Sequence, residues 1–303
     1  MTQHDFCLAW NWEYDADFVS LLGSTCLDRG LNFFQATPQN IDSTLEVLER
    51  GELNFLLFHD RASEADPRFL ELVFRASQIG AVFINSHEKA VHALNKASMH
   101  LEFITAGIHT PYTIILPPYE DEPHLPPCDL SPLGDSFIIK PAHGGGGEGV
   151  VIEARSLEQV LWARQEYPAD YYLLQAHITP AQIGGRPAWF RVIYCGGRVY
   201  PCWWDTTTHV YEPVSDDEAA AFGTASLHQT TQAIAGVCGL DIFSTEIALT
   251  PAGVCVAVDY VNNPIDLRLK SNTFDGVPDE IVQGVVERLA ELVIERLPVR
   301  PVG

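Results

Sequence analysis

Three stretches of the sequence combine residue types that phosphate chemistry requires. The first is His143–Val150, HGGGGEGV, which follows Lys140. Backbone N–H groups without side chains around them can close over phosphate oxygens, while a lysine supplies a point charge. Gly144, Gly146 and Gly149 satisfy G-x-G-x-x-G, but Val150-Val151-Ile152 reads as a strand where a dinucleotide-binding fold needs a helix. A protein-kinase loop would need a lysine on the next strand and an H-R-D segment; no lysine occurs from 141 to 269. A G-K-[ST] sequence is absent as well. What remains is a glycine-rich turn between two strands, either a phosphate cover or an unliganded surface hairpin.

The second stretch, Ser244–Asn263, reads STEIALTPAGVCVAVDYVNN, a hairpin turning at Thr250–Gly253. A turn centred between Pro251 and Ala252 predicts Glu246 opposite Ala257 and diagonal to Asp259. Alternation then puts Ile247, Leu249, Val254, Val256 and Val258 on a core face, and Glu246, Ala248, Cys255, Ala257 and Asp259 on the other. Diagonal Cα atoms lie about 7–8 Å apart, within reach of one shared divalent cation. Asn262 or Asn263 can add an oxygen, and hard oxygen donors suit Mg²⁺. Two solvated acids are the alternative. In the third stretch, WFRVIYCGGRVYP (189–201), a two-residue Gly196-Gly197 loop pairs Cys195 with Arg198 and Arg191 with Cys202. Val192, Tyr194, Val199 and Trp203 then share one face, and Arg191, Arg198 and Tyr200 the other. Guanidinium groups suit phosphate or carboxylate recognition. Asp266 and Arg268 follow the acidic hairpin as a local ion pair or a substrate clamp.

The elements that must carry these residues are readable from apolar patterning. Apolar runs at Phe6–Trp10, Leu31–Ala36, Asn54–Phe58 and Ala81–Ile84 alternate with helix-length segments near 15–29, 39–50 and 66–79. Strand–helix alternation predicts a parallel sheet with crossover helices. Asn85-Ser86 offers an N-cap for a helix to about Met99, followed by a second ending near Gly107. The proline-rich stretch Leu116–Pro132 reads as a connector. Strands are expected at Ser136–Pro141, Val150–Glu153 and Tyr171–Ala176, with a helix at 157–166. A further helix is expected near 217–238, and an amphipathic one over Pro278–Leu297.

The chain has 303 residues, 47% of them hydrophobic, and no apolar run long enough to span a bilayer. Forty acidic residues against 18 basic ones give a formal charge of −22, which disfavours nucleic acid and anionic membrane as partners. The seven cysteines form no Cys-x-x-Cys pair, and the amino-terminal residues do not read as a signal peptide. Reduced thiols and a cytoplasmic location are therefore expected.

Taken in order, these stretches resemble the motifs of ATP-grasp enzymes. FINSHEKAVHALNKASMHLEFITAGIHTPYT (83–113) resembles the segment bearing the first nucleotide lysine, here Lys96, and FIIKPAHGGGGEGV (137–150) the second lysine and its loop. YLLQAHI (172–178) resembles the adenine-reading hinge, and GLDIFSTEIALTPAGVCVAVDYVNNP (239–264) the paired Mg²⁺ ligands. The resemblance implies an α/β (α+β ATP-grasp) fold. It divides into a preceding α/β domain over 1–82, a linker with central helices over 83–134, a small subdomain over 135–178 and a large one over 179–303. It further implies that Lys96, Lys140, Gly144, Gly145, Gly146, Gly147, Gly149, Gln175, Ala176, His177 and Ile178 hold ATP. Glu246, Asp259 and Asn262 are implied to hold Mg²⁺, and Arg191 and Arg268 to act in catalysis.

This sequence departs from the family pattern in several places. Trp189 stands where an acid usually precedes the arginine, and Asp259 where glutamate is usual. Asn262 sits one position later than expected, with Val261 in its place. No acid follows the hinge to hold ribose, although Gln182 is near. The implied activity is ATP-dependent carboxylate–amine ligation through an acyl phosphate, with small-molecule or peptide substrates and a possible homodimer. A small-molecule kinase and a catalytically silent nucleotide-binding module are the other readings. By analogy of fold, Glu13, Arg61 and Arg268 are expected near the substrates.

Overall fold

The computed structural model describes residues 1–298, so the last five positions of the 179–303 segment lie outside the described residues. The amino-terminal third alternates as expected: β1 (Thr2–Trp10), α1 (Ala16–Asp28), β2 (Phe33–Ala36), α2 (Ile41–Glu49), β3 (Leu53–Arg61), α3 (Pro67–Gln78) and β4 (Val82–Ile84). Its four strands form a parallel sheet in the order β2-β1-β3-β4. Helix α3 starts where its sequence dictates. Asp66 accepts a hydrogen bond from the Arg68 N–H and Pro67 occupies the first turn.

The two helices expected over 86–107 are present as α4 (His87–Ala93) and α5 (Lys96–Thr105), but the break between them falls at 94–95, not near Met99. The reason is Asn95, whose backbone is extended and whose side chain caps α5 by accepting from the Ser98 N–H. The break makes Lys96 the first residue of α5.

A second sheet, antiparallel in the order β5-β8-β6-β7, contains β5 (Thr113–Leu116), β6 (Phe137–Pro141), β7 (Val151–Ala154) and β8 (Tyr172–Ala176), with α6 (Leu157–Ala163) between the last two. The proline-rich connector between β5 and β6 is anchored by Arg164. This fully buried side chain donates through Nη2 to the carbonyl oxygens of Pro117, Pro118 and Glu122.

After a short hairpin, β9 (Gln182–Ile183) and β10 (Arg186–Pro187), a third sheet follows. It is built from β11 (Trp189–Cys195), β12 (Arg198–Trp204), β13 (Tyr211–Pro213), β14 (Ile242–Leu249) and β15 (Cys255–Asn262) in the order β13-β12-β11-β14-β15. The helix expected near 217–238 is α7 (Asp216–Phe222) and α8 (Ala225–Cys238), separated where Gly223 turns left-handed at φ 72°. The final helix, α9 (Asp279–Arg296), packs into a core shared with α1 and the third sheet. No helix among the described residues is long and apolar enough to cross a membrane.

His59 of β3 is buried in this framework. Its Nδ1 bonds the Ile84 carbonyl oxygen at 2.9 Å, and its Nε2 has no partner among the described residues. Burial, reinforced by the nearby Arg61 charge, pulls its pKa down to about 4 from 6.5. The folded chain therefore takes up this proton only near pH 4, whereas the unfolded chain takes it up near pH 6.5. Stability falls as pH drops through that window, by about 3 kcal/mol from this residue. Urea unfolding of His59→Gln between pH 7 and pH 4 is expected to show a correspondingly flatter acid dependence than the parent chain.

Candidate active site

The acidic hairpin places its two carboxylates closer than alternation alone predicts. Glu246 pairs directly with Asp259, whereas Ile247 pairs with Ala257, Ala248 with Val256 and Leu249 with Cys255. The expected register is thus corrected by one residue at Ile247–Leu249 and by two at Glu246. Cys255 and Ala257 share the face of Ile247 and Leu249, while Val256 and Val258 share that of Ala248. Register irregularities on either side of Glu246 then interrupt the alternation and bring Asp259 opposite Glu246. A bulge inserts a residue and re-aims the side chains beyond it.

Arg191 pairs with Cys202 on β12, in the register the glycine hairpin predicts, and lies across from Glu246 on its other neighbour, β14. Its Nη1 donates to Glu246 Oε1 at 2.5 Å and its Nε to Ser244 Oγ at 3.1 Å. The indole N–H of Trp189, standing where an acid is usual, donates to Glu246 Oε2 at 3.3 Å. Asn262 donates from Nδ2 to Asp259 Oδ2 at 2.9 Å. Its altered spacing therefore still brings it to the acidic pair.

Two lysines approach, Lys140 from the second sheet and Lys96 from the start of α5. Lys140, buried on β6, donates to the Val258 carbonyl oxygen at 3.2 Å and lies 5.4 Å from the Tyr260 ring centroid. Tyr260 is itself fixed from two sides: Gln175 Nε2 donates to its oxygen at 3.0 Å, and that oxygen lies 2.7 Å from His100 Nδ1. Lys96 donates to the Gly144 carbonyl oxygen at 2.5 Å, and its own backbone N–H donates to Ala142. Burial lowers the pKa of both lysines. Burial also pushes the Glu246 carboxyl up, with Asp259 adding to it against Arg191. For Asp259, burial is outweighed by Lys140, Arg191 and Lys96, and the carboxyl is held below its ordinary value.

The glycine loop runs from Gly144 to Gly149 between β6 and β7. Gly144, Gly146, Gly147 and Gly149 have positive φ, and Gly145 does not. At Gly149 a Cβ would lie 2.6 Å from Cε2 of Tyr167, so the loop's return end is held tightly against that ring.

Of the hinge residues, Gln175 is fully buried beneath the site, and the N–H of Ala176 is already bonded to the Tyr112 carbonyl oxygen. Ala176 ends β8, and His177 and Ile178 lie just beyond it. Gln182 is on β9, and Arg198 pairs with Glu291 away from the carboxylates.

Arg61 is corrected as a substrate contact. Its guanidinium pairs with Asp15 at 2.9 and 2.7 Å and with the Ile265 carbonyl oxygen at 2.8 Å, and both side chains are 2% exposed. Arg268 is an ion pair of the local kind, held by Asp266 and Asp275 at 2.7 and 2.9 Å and lying 5.6 Å from the Trp12 ring centroid. Glu13 is exposed on the neighbouring turn.

Sequence reasoning read Asn85 only as an N-cap and missed its long-range bonding; it is buried at φ 59°. Its Nδ2 donates to Ile242 O at 2.6 Å and Asn263 Oδ1 at 2.7 Å, while its Oδ1 accepts from the N–H groups of Asp241 and Ile242. A non-glycine residue at positive φ is the kind of signal that only the folded backbone reveals. Asn85 and Arg61 together tie the amino-terminal sheet to both ends of the acidic hairpin.

Glu246, Asp259 and the Asn262 amide form a hard oxygen set of the size Mg²⁺ uses when phosphates complete its shell. No group of three His, Cys, Asp or Glu residues able to hold a metal occurs among the described residues. Replacing Arg61 with alanine leaves Asp15 buried without its partner. Denaturant unfolding of Arg61→Ala is expected to show a loss of about 3–5 kcal/mol.

No protein-family model and no curated protein matches the sequence. Solved structures do match along nearly the whole chain. A RimK domain ATP-grasp protein from Sphaerobacter thermophilus is 17% identical, with a TM-score of 0.64 and coverage of 95% of this chain and 99% of that one. D-alanine–D-alanine ligase of Bacillus anthracis, solved with ATP, is 11% identical at a TM-score of 0.66, covering 98% and 97% of the two chains. D-cycloserine synthetase DcsG is 16% identical at 0.61, covering 95% and 99%. The chain has the ATP-grasp fold.

Proposed function

We propose that the chain is an ATP-dependent carboxylate–amine ligase that works through an acyl phosphate. The observation that carries this reading is the convergence of Glu246, Asp259 and Arg191 from one sheet with Lys140 from another and Lys96 beside the glycine loop. Cations on one side and paired carboxylates on the other suit a triphosphate with its metal. The occurrence of this fold in D-alanine–D-alanine ligase and D-cycloserine synthetase supports the same class of chemistry.

In this reading the second and third sheets clasp ATP between them. Lys96, Lys140 and the loop from Gly144 to Gly149 hold the phosphates, and His177 and Ile178 meet the adenine. Glu246, Asp259 and Asn262 hold Mg²⁺, which when bound neutralises charge on the transferring phosphoryl group. A substrate carboxylate oxygen attacks the γ-phosphorus, giving ADP and an acyl phosphate. The amine nitrogen then attacks the acyl carbon, and inorganic phosphate leaves as the C–N bond forms. Arg191 offers N–H donors to the oxygens on which negative charge develops; loss of such a donor typically lowers the rate about 10²–10³-fold. A closed glycine loop keeps water from the acyl phosphate.

The test is thermal unfolding with and without Mg-ADP. At 100 times its dissociation constant, the nucleotide stabilises the folded chain by about 2.7 kcal/mol. The shift is expected in the parent chain, to vanish in Lys140→Ala, and to shrink when EDTA removes the metal. No shift in the parent chain at millimolar Mg-ADP would overturn the nucleotide assignment. Where the shift is present, release of inorganic phosphate only with a carboxylate and an amine together identifies the ligase; phosphate retained on the acceptor would identify a kinase instead.

A further inference from the structure

Beside the paired carboxylates, the site carries a row of flat groups that phosphate handling does not use. Cys202 pairs with Arg191 across β11 and β12, so Trp204, two residues further along β12, lies on the same face as Arg191. The Trp204 ring centroid is 5.5 Å from the Arg191 guanidinium carbon. His209 stacks parallel to Trp204, with centroids 5.4 Å apart and planes 5° from each other. Tyr211 supports Trp204 from β13 at 4.6 Å.

The stack is held in place by its turn. His209 has φ 58°, a backbone conformation uncommon outside glycine. Its N–H donates to the Asp205 carbonyl oxygen at 2.8 Å, and the Asp205 carboxylate accepts from the N–H groups of Thr207 and Thr208. The turn therefore presents the exposed His209 ring flat against Trp204. Arg191 donates through Nε and Nη1 to protein oxygens, while its Nη2 has no partner among the described residues.

We infer that the carboxylate substrate is an aromatic acid, its carboxylate paired with Nη2 of Arg191 and its ring lying against the Trp204–His209 stack. This rests on the ligase reading, because it places the reacting carboxylate at Arg191. The resident guanidinium beside Trp204 disfavours an organic cation at the same place, whereas an anionic group at Arg191 and a neutral ring on the stack complement both features. Aliphatic acids can cover the same surface but lack the ring–ring contribution, which amounts to about a 2- to 13-fold gain in affinity.

Calorimetric titration of the full chain in Mg-ADP, with 3-phenylpropanoate and with hexanoate, tests this directly. The aromatic acid is expected to bind several-fold more tightly. His209→Gly removes the ring while accepting the left-handed backbone, so folding is not at risk, and it is expected to bring 3-phenylpropanoate down to the affinity of hexanoate. Trp204→Leu is expected to do the same. Equal affinities in the parent chain, a preference that survives His209→Gly, or binding of neither acid would overturn the inference. Titration of Mg-ADP alone separates the two claims. Nucleotide binding without aromatic preference sinks only the substrate class, whereas aromatic preference without nucleotide binding sinks the ligase reading and leaves the subsite standing.

Discussion

Two carboxylates facing each other across a strand pair repel, and much of the architecture answers that constraint. Glu246 and Asp259 occupy directly paired positions, where like charges are unfavourable unless compensated. Compensation comes from three cations on three different elements: Arg191 from β11, Lys140 from β6 and Lys96 from the start of α5. Because Lys140 belongs to the second sheet and reaches the backbone of β15, the two sheets must face each other. A chain with a formal charge of −22 and only four lysines commits two of them to this one place.

The amino-terminal sheet serves the site indirectly. Arg61 and Asp15 form a buried pair whose third bond reaches the segment just after the acidic hairpin. Asn85, at the end of β4, bonds the start of β14 and the side chain of Asn263. A buried ion pair contributes little net stability compared with an apolar substitute, but it tolerates few geometries. The third bond of the Arg61 pair meets the chain at Ile265, three residues beyond Asn262.

The sequence made the alternating elements legible because their signals are local. The βαβ periodicity and the Gly196-Gly197 turn each lie within a few residues of what they determine, whereas the Asn95 cap, hidden inside an apolar helical pattern, was not read. The motifs of the candidate site were legible in the same way, as types and order along the chain. What failed was register. Alternation placed Asp259 diagonal to Glu246, and the irregularities that bring it opposite depend on partners that periodicity does not encode. Short strands such as β9, β10 and β13 were missed because two or three residues hold no period, and their pairing is set by neighbours far along the chain. Arg61 read as a loop residue facing a cleft, and only the fold shows its partner 46 positions earlier.

The handedness of the glycine loop separates its members in a way their common identity conceals. Four of its five glycines sit at positive φ and resist any side chain on backbone grounds, whereas Gly145 has an ordinary φ and open space around the place a Cβ would occupy. Six of the seven native cysteines are buried, and Cys128 is only partly accessible. Gly145 is therefore the natural point of attachment for a thiol-directed fluorophore, which would sit on the crest of the loop and report its movement without altering the residues that shape it.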